Sequence, residues 1–173
     1  MKKNKLIFRF SLLALWCIVI FCYSAQNGTE STNESNKVFE IVKNIFFPNF
    51  DSLSADEQYN LTMNVTHYIR KTAHFMVFAC LGFLSYFTLF TVKNKKMRAV
   101  YSVLISFGCA CTDEFHQFFV PDRNAQITDV LIDTCGSILG TAVAILLALL
   151  FFRYKNWRNA EKACNNPKLH SKV

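Results

Sequence analysis

Proline and glycine, the residues that most often interrupt helices, are scarce in this sequence. Only three prolines and five glycines occur among 173 residues, whereas 52% of the residues are hydrophobic and eighteen are phenylalanine. Such a composition excludes a disordered chain rich in proline and glycine, and it is too apolar for a typical soluble enzyme. The sequence therefore favours an all-α protein that places its apolar surface in a membrane.

The apolar residues are gathered into four runs, which predict the membrane spans. The runs cover residues 6–23, 72–92, 99–112 and 130–152. A bilayer core of about 30 Å is crossed by about 20 helical residues, so the third run is too short unless its helix continues. We predict a polytopic membrane helical bundle with four transmembrane helices, at about 6–23, 72–92, 99–119 and 129–152.

Positive charge is distributed unevenly between the two sides of this predicted bundle. Fourteen of the nineteen lysines and arginines precede the first run or lie near its start, separate the second and third runs, or follow the fourth. Because cytoplasmic loops are enriched in lysine and arginine, both ends of the chain are predicted on the cytoplasmic side, N-in and C-in. This placement accounts for the net charge of +7 without a nucleic-acid partner.

We divide the chain into a transmembrane domain, 1–155, which includes an outer segment at 24–71, and a basic cytoplasmic tail, 156–173. Residues 24–36 are polar and are predicted to form an exposed linker. An outer amphipathic helix follows, on the membrane surface or on the bundle, and ends before Pro48. Its apolar residues at helical spacing are Val38, Ile41, Val42, Ile45 and Phe46. Ser54 and Glu57 have capping-box spacing, which predicts a helix that continues into the second span.

The first run admits a second interpretation, because a basic start followed by an apolar stretch is also typical of a cleaved signal peptide. The stretch is long for a signal core, and Tyr23 fits poorly near a cleavage after Ala25. We therefore favour a span. Loss of this segment would leave the orientation of the other three spans unchanged.

Polar side chains occur at the same end of all four predicted spans, whereas the opposite halves are expected to be wholly apolar. Lys71 and His74 share one face of the second span, with His67 a turn away. Asp129 and Asp133 are one helical step apart at the start of the fourth span. We therefore expect such groups to meet in one pocket in the outer leaflet.

A charged group inside a membrane helix costs about 2.5–3.5 kcal/mol or more, so it is retained when it is paired, hydrated or functional. One interpretation is a structural network in which Asp113 or Asp129 pairs with Lys71 or Arg123. We favour a functional pocket whose ligand-binding residues are Gln26, Lys71, His74, Asp113, Glu114, His116, Gln117, Arg123, Asp129 and Asp133. Glu114 and His116 are the candidates for general acid and base chemistry, but no nucleophile in a known motif stands beside them.

Metal binding is a weaker interpretation of the same residues. His74, His116 and a carboxylate could hold Zn²⁺, but their spacing matches no metal motif. The seven cysteines lie almost all in apolar runs and include no C-x-x-C pair, so packing explains them. We predict neither a metal nor another cofactor.

Gly136 and Gly140, followed by Ala144, form a small-residue face on the fourth predicted span. Such a face lets a neighbouring backbone approach closely. The neighbour is either another helix of this chain or a second copy, so the face is also a candidate surface for a homo-oligomer.

From Trp16 to about Ala144 the motifs together resemble the VanZ-like membrane proteins. This family is named after the teicoplanin-resistance protein of glycopeptide-resistance clusters. The residues that carry the resemblance are Trp16, Ser24-Ala25-Gln26, Ser31, Ser35, Arg70-Lys71-x-Ala73-His74-Phe75, Gly82, Asp113-Glu114-x-His116-Gln117-x-Phe119-x-Pro121-x-Arg123, Asp129-Val130 and Gly136-x-x-x-Gly140. Two positions depart from the family pattern. Asp122 stands where glycine is common, which suggests a less tight turn, and Asp133 stands where asparagine is usual, which adds a carboxylate.

The resemblance implies a role at the outer face of a bacterial plasma membrane in resistance to teicoplanin-type antibiotics, and it leaves the chemistry open. Our leading hypothesis is a pocket that binds a membrane lipid headgroup, a lipid-linked wall precursor or a lipoglycopeptide. An enzyme that modifies a lipid-linked or phosphate-containing substrate through Glu114 and His116 is the alternative. Transport is a third hypothesis, and apolar inner halves argue against it, since a path needs polar groups on both sides of the midplane.

Overall fold

In this computed structural model the chain forms five α-helices with short connections, and the structure describes residues 2–121, 123 and 126–164. The helices are α1 (Lys2–Ser24), α2 (Gly28–Phe46), α3 (Ala55–Thr88), α4 (Lys95–Gln117) and α5 (Ile127–Cys164). Single 3₁₀ turns at Phe50–Ser52 and Leu89–Thr91 complete the order of elements. Over the described residues the all-α prediction is confirmed. Three of the helices, α1, α3 and α5, are long and apolar enough to cross a membrane.

The helices α1, α3, α4 and α5 pack side by side in one bundle. The Arg9 guanidinium donates to the Phe87 carbonyl at 3.2 Å, and the Trp16 indole donates to the Val77 carbonyl at 3.0 Å, so α1 and α3 are antiparallel. At the other end of α1, Ser24 meets Gln117 at the end of α4, so these two helices run in the same direction. Successive helices of the bundle therefore alternate in direction along the chain.

The backbones of α3 and α5, which run parallel, approach each other closely. A Cβ atom at Gly136 would meet the Phe75 carbonyl oxygen, and one at Gly140 would meet the Ala79 carbonyl oxygen. Only glycine permits this backbone contact. The neighbour of the small-residue face is thus α3 of the same chain, which covers the surface that a homo-oligomer through Gly136 and Gly140 would need.

Small side chains continue this seam through the bundle and lead to its polar end. Ser102, Ser106 and Ala110 follow one another at helical spacing on the buried face of α4. Ser137, Thr141 and Ala144 do the same on α5. The expectation of wholly apolar inner halves is therefore wrong. The two α4 hydroxyls donate to the carbonyl one turn earlier, Ser102 to Arg98 at 2.8 Å and Ser106 to Ser102 at 3.1 Å, which satisfies them within their own helix. The Thr141 hydroxyl instead donates to the Gly82 carbonyl of α3 at 3.4 Å.

The prediction of an exposed linker at 24–36 is wrong, because residues 28–36 are helical. Helix α2 starts at Gly28, where the Asn27 side chain caps it by accepting from the Glu30 N–H at 2.8 Å. The face that packs onto the bundle is small and mostly polar, and it includes Ser31, Ser35 and the buried Phe39. Most of the predicted apolar stripe instead points outward, with Ile41, Ile45 and Phe46 more than 60% exposed.

The predicted start of the helix after the outer segment is confirmed. Ser54 and Glu57 form the capping box, and α3 runs without interruption to Thr88. Helix α4 ends at Gln117, two residues before the predicted end at 119. Helix α5 continues to Cys164, so the proposed boundary at residue 155 falls within a helix. The atypical Asp122 and the last residues of the tail, 165–173, lie outside the described residues.

The glycine contact gives a test of the fold with a matched control. In Gly140→Ala the new methyl group would overlap the Ala79 backbone, so we expect a loss of about 1–3 kcal/mol from overpacking. In Gly108→Ala the methyl group meets nothing within 4 Å, and alanine favours the helix, so stability should be kept or raised. Thermal unfolding of the two variants in detergent measures the difference. Equal melting temperatures would contradict the close approach of α3 and α5.

Candidate functional site

One end of the bundle gathers the charged side chains of its helices. At this end the Lys71 ammonium of α3 forms an ion pair with the Asp129 carboxylate of α5, and both side chains are mostly buried. The parallel packing of α3 and α5 sets this pairing, since Lys71 stands one turn before Phe75 and Asp129 two turns before Gly136. The ion pair therefore belongs to the same interface as the glycine contact.

A second group of polar contacts joins α1, α4 and the loop after α4. The Gln117 amide donates to the Asp113 carboxylate at 3.0 Å and to the Ser24 hydroxyl at 3.3 Å. The Arg123 guanidinium donates to the Gln117 side-chain oxygen at 3.5 Å. Ser24, Asp113 and Gln117 are all buried. Ser24 was not in the predicted ligand-binding set. Its position at the polar end of the first span was the signal that could have identified it.

A third group combines one imidazole with two carboxylates. His74, Asp113 and Asp133 come from three different helices, and one potential ligand atom of each lies within 4.8 Å of the other two. The distance between His74 Nδ1 and Asp133 Oδ2 is 3.9 Å. Asp133 is only 2% exposed, and its Oδ1 atom has no hydrogen-bond partner among the described residues. These atoms are the ones in the described part of the chain that could hold a metal ion.

The two candidates for acid and base chemistry are directed elsewhere. The Glu114 carboxylate accepts a hydrogen bond from the Gln126 backbone N–H, which ties α4 to the start of α5. The His116 ring packs on Phe21, with 4.4 Å between ring centroids, and its buried Nδ1 has no partner among the described residues. Glu114 and His116 thus make separate contacts. Gln26, the remaining predicted residue, is half-buried, and no described side-chain hydrogen bond connects it to the cluster.

A cavity of about 180 Å³ opens beside the Lys71–Asp129 pair. Three cationic side chains line it against a single carboxylate, which leaves the cavity with an excess of positive charge. The lining residues are His67, Arg70, Lys71, His74, Gln117, Arg123, Gln126 and Asp129. Arg70 entered the sequence analysis only through the family motif, and His67 only as a neighbour of Lys71, so neither was in the predicted binding set.

Arg123 contributes its charge from a loop rather than from a helix. Burial lowers the pKa of the Arg123 guanidinium, and the neighbouring Arg70 charge lowers it further. An arginine nevertheless stays protonated in proteins, so the cavity keeps this cation at any physiological pH. The Nε atom of Arg123 is buried without a partner among the described residues.

Two of the larger grooves of the protein lie away from this cluster. One of about 520 Å³ is at the opposite end of the bundle, where Arg9, Lys95 and Arg98 border an apolar floor. The other, of about 640 Å³, lies between α2 and the start of α3. Neither is lined by the Lys71–Asp129 pair or by His74, so the 180 Å³ cavity is the better candidate for a specific site.

Comparison with known proteins identifies the family. The family model described as VanZ/LLP1 matches residues 9–152, which include α3, α4, most of α1 and α5, and the whole polar cluster. No curated protein and no solved structure matches the chain. The resemblance drawn from the sequence motifs is confirmed, and the membrane-type helices agree with it. The chain belongs to the VanZ/LLP1 family.

Proposed function

We propose that the chain is a multi-pass protein of a bacterial plasma membrane with four spans, and with both ends in the cytoplasm. The fourth span is α4, which is less apolar than the other three. Its twenty-three residues measure about 34 Å, enough to cross the hydrocarbon core. Its two ends contact the same levels of the bundle as the ends of α1, which supports a complete crossing.

The first helix also supports this topology. Along its length α1 contacts α3 and α4 through Arg9, Trp16 and Ser24, so it behaves as a member of the bundle. This packing favours a span over a cleaved signal peptide. Arg9 near the start of α1 and Lys95 and Arg98 at the start of α4 lie at the opposite end of the bundle from the acidic cluster, as the positive-inside rule requires of a cytoplasmic side.

Reporter fusions test the disputed span. With alkaline phosphatase, which is active only outside the membrane, a fusion after Asn94 should be inactive and a fusion after Gln126 should be active. Green fluorescent protein at the same two points should give the reverse pattern. If both points report the same side, α4 does not cross, and the chain has three spans.

Within this topology, we propose that the cavity binds the anionic part of an amphiphile in the outer leaflet. The observation that carries this proposal is the lining itself: Arg70, Lys71 and Arg123 face one small space with Asp129 as the single acid. Guanidinium and ammonium groups bind phosphate and carboxylate through charge-assisted hydrogen bonds. Lipid headgroups, lipid-linked wall precursors and lipoglycopeptides all carry such groups beside an apolar chain.

The outer helix supports delivery of this ligand from the bilayer. The exposed apolar stripe of α2 has the form of a helix that lies in a membrane interface. The first N–H of α2, from Gly28, donates to the Pro121 carbonyl at 3.3 Å, next to the loop that carries Arg123. An amphipathic helix on the membrane surface would therefore lie beside the cavity entrance.

This binding would account for the association of the VanZ family with teicoplanin resistance, because a factor that holds a lipid or wall precursor acts where such antibiotics act. The enzyme alternative receives no support from geometry, since Glu114 and His116 make separate contacts and face different neighbours. Binding without turnover is the function that the site supports best.

Removal of the central cation tests the binding proposal. Lys71→Ala should reduce teicoplanin resistance in a reporter strain to the level of cells without the protein, when strains with equal amounts of the protein in the membrane are compared. Lys37→Ala is the matched control, because Lys37 is 72% exposed and pairs only with Glu34 on the surface of α2. Resistance is read as the minimum inhibitory concentration, and membrane level by immunoblot.

Loss of Lys71 also leaves Asp129 unpaired, and an unpaired buried charge costs about 3–5 kcal/mol. The double variant Lys71→Ala/Asp129→Ala removes both charges and should fold, yet it should still be sensitive to teicoplanin. Full resistance in this double variant would overturn the proposed role of the cavity.

A further inference from the structure

We propose that His74, Asp113 and Asp133 bind one divalent transition-metal ion, of the zinc or manganese class. The three side chains come from α3, α4 and α5, and a ligand atom of each lies within 4.8 Å of the other two. The ion would lie behind the cavity rather than in it, because neither Asp113 nor Asp133 is part of the cavity lining. This inference does not depend on which ligand the cavity binds.

The arrangement of the three atoms is close to that of a metal site. Zinc binds nitrogen and oxygen ligands at about 2.0–2.2 Å, so two ligands in tetrahedral geometry are about 3.4 Å apart. His74 Nδ1 and Asp133 Oδ2 are 3.9 Å apart, and small side-chain rotations would bring them to this spacing. The backbones need not move, since the glycine contact between α3 and α5 already holds these two helices together.

Asp133 provides the second, independent observation. Its side chain is 98% buried, and its Oδ1 atom has no hydrogen-bond partner among the described residues. A buried polar group without a partner is costly, and for a carboxylate the cost is especially high. A cation coordinated by this oxygen would remove the cost.

The described cationic side chains do not supply such a cation to Asp133. Lys71 is engaged by Asp129, and among the described residues no lysine or arginine forms an ion pair with Asp113 or Asp133. Asp113 receives one hydrogen bond, from the neutral Gln117 amide. Two carboxylates and one imidazole thus converge without an ion-paired lysine or arginine among the described residues, and a divalent ion would balance two negative charges.

The donor atoms favour a transition metal over Mg²⁺ or Ca²⁺. Hard cations select oxygen ligands, whereas imidazole nitrogen with carboxylates suits Zn²⁺ and Mn²⁺. Three protein ligands leave at least one coordination position for another group. Since His74 also lines the cavity, the ion would be a further source of positive charge next to a bound anionic group.

The experiment uses the full-length protein purified in detergent, treated with EDTA and dialysed. Titration with ZnCl₂ and with MnCl₂ by isothermal calorimetry should show one equivalent of ion bound for at least one metal. Asp133→Asn and Asp113→Asn, which keep side-chain shape, should each weaken that binding by about 100-fold or more. Asp56→Asn is the matched control, since it removes a carboxylate of α3 outside the cluster and should bind as the unchanged protein does.

Thermal unfolding gives a readout that separates binding from folding. The ion should raise the melting temperature of the unchanged protein by several degrees and leave that of Asp133→Asn unaltered. In the absence of ion, Asp133→Asn should melt no lower than the unchanged protein, because it removes a costly buried charge. A variant that melts lower without the ion would show that the carboxylate stabilises the fold by itself, against the proposal.

Two results of the titration would also overturn the metal site. One is no ion bound by the unchanged protein. The other is binding that Asp113→Asn and Asp133→Asn leave intact, which would mean an adventitious ion at other groups. The double variant Lys71→Ala/Asp129→Ala keeps all three ligands and should bind the ion, so this proposal and the proposed cavity can fail separately.

Discussion

The contact between the α3 and α5 backbones is the constraint on which the rest of the structure depends. Because Gly136 and Gly140 have no side chain, the carbonyls of Phe75 and Ala79 can approach them directly. The two helices can therefore pair in only one register. That register also places Lys71 beside Asp129 and His74 beside Asp133, so packing in the middle of the bundle determines the chemistry at its end.

Charge pairing stabilises the polar end of the bundle but leaves some of its charged groups available for a ligand. Lys71 with Asp129 and Gln117 with Asp113 satisfy one another, and such pairs lower the cost of polar groups inside a bundle. The remaining groups are unevenly matched. Cations face the cavity, whereas Asp133 is buried behind it with an unpartnered oxygen. This separation of signs gives one region suited to an anion and another suited to a cation.

Much of the fold and part of the site could be predicted from sequence. Apolar runs located the helices, and the Ser54–Glu57 spacing gave the start of α3. A step of i, i+3 predicted that Lys71 and His74 share a helix face, and a step of i, i+4 predicted the same of Asp129 and Asp133. The helix at 28–36 was missed because Asn, Ser and Thr are typical of loops, and its packed face is polar. The separation of Glu114 from His116 could not be predicted, since it depends on partners, Gln126 and Phe21, supplied by other elements.

The length of α3 has a consequence for the height of the site in a bilayer. A hydrocarbon core of about 30 Å takes about twenty helical residues, and counting back from Thr91, where the apolar part ends, brings the far boundary to about residue 72. In the proposed topology Lys71 would then lie at the level of the glycerol and phosphate groups, and His74 about one turn deeper. An amphiphile could present its headgroup to the cavity while its acyl chains stay among those of its own leaflet, without being extracted into water.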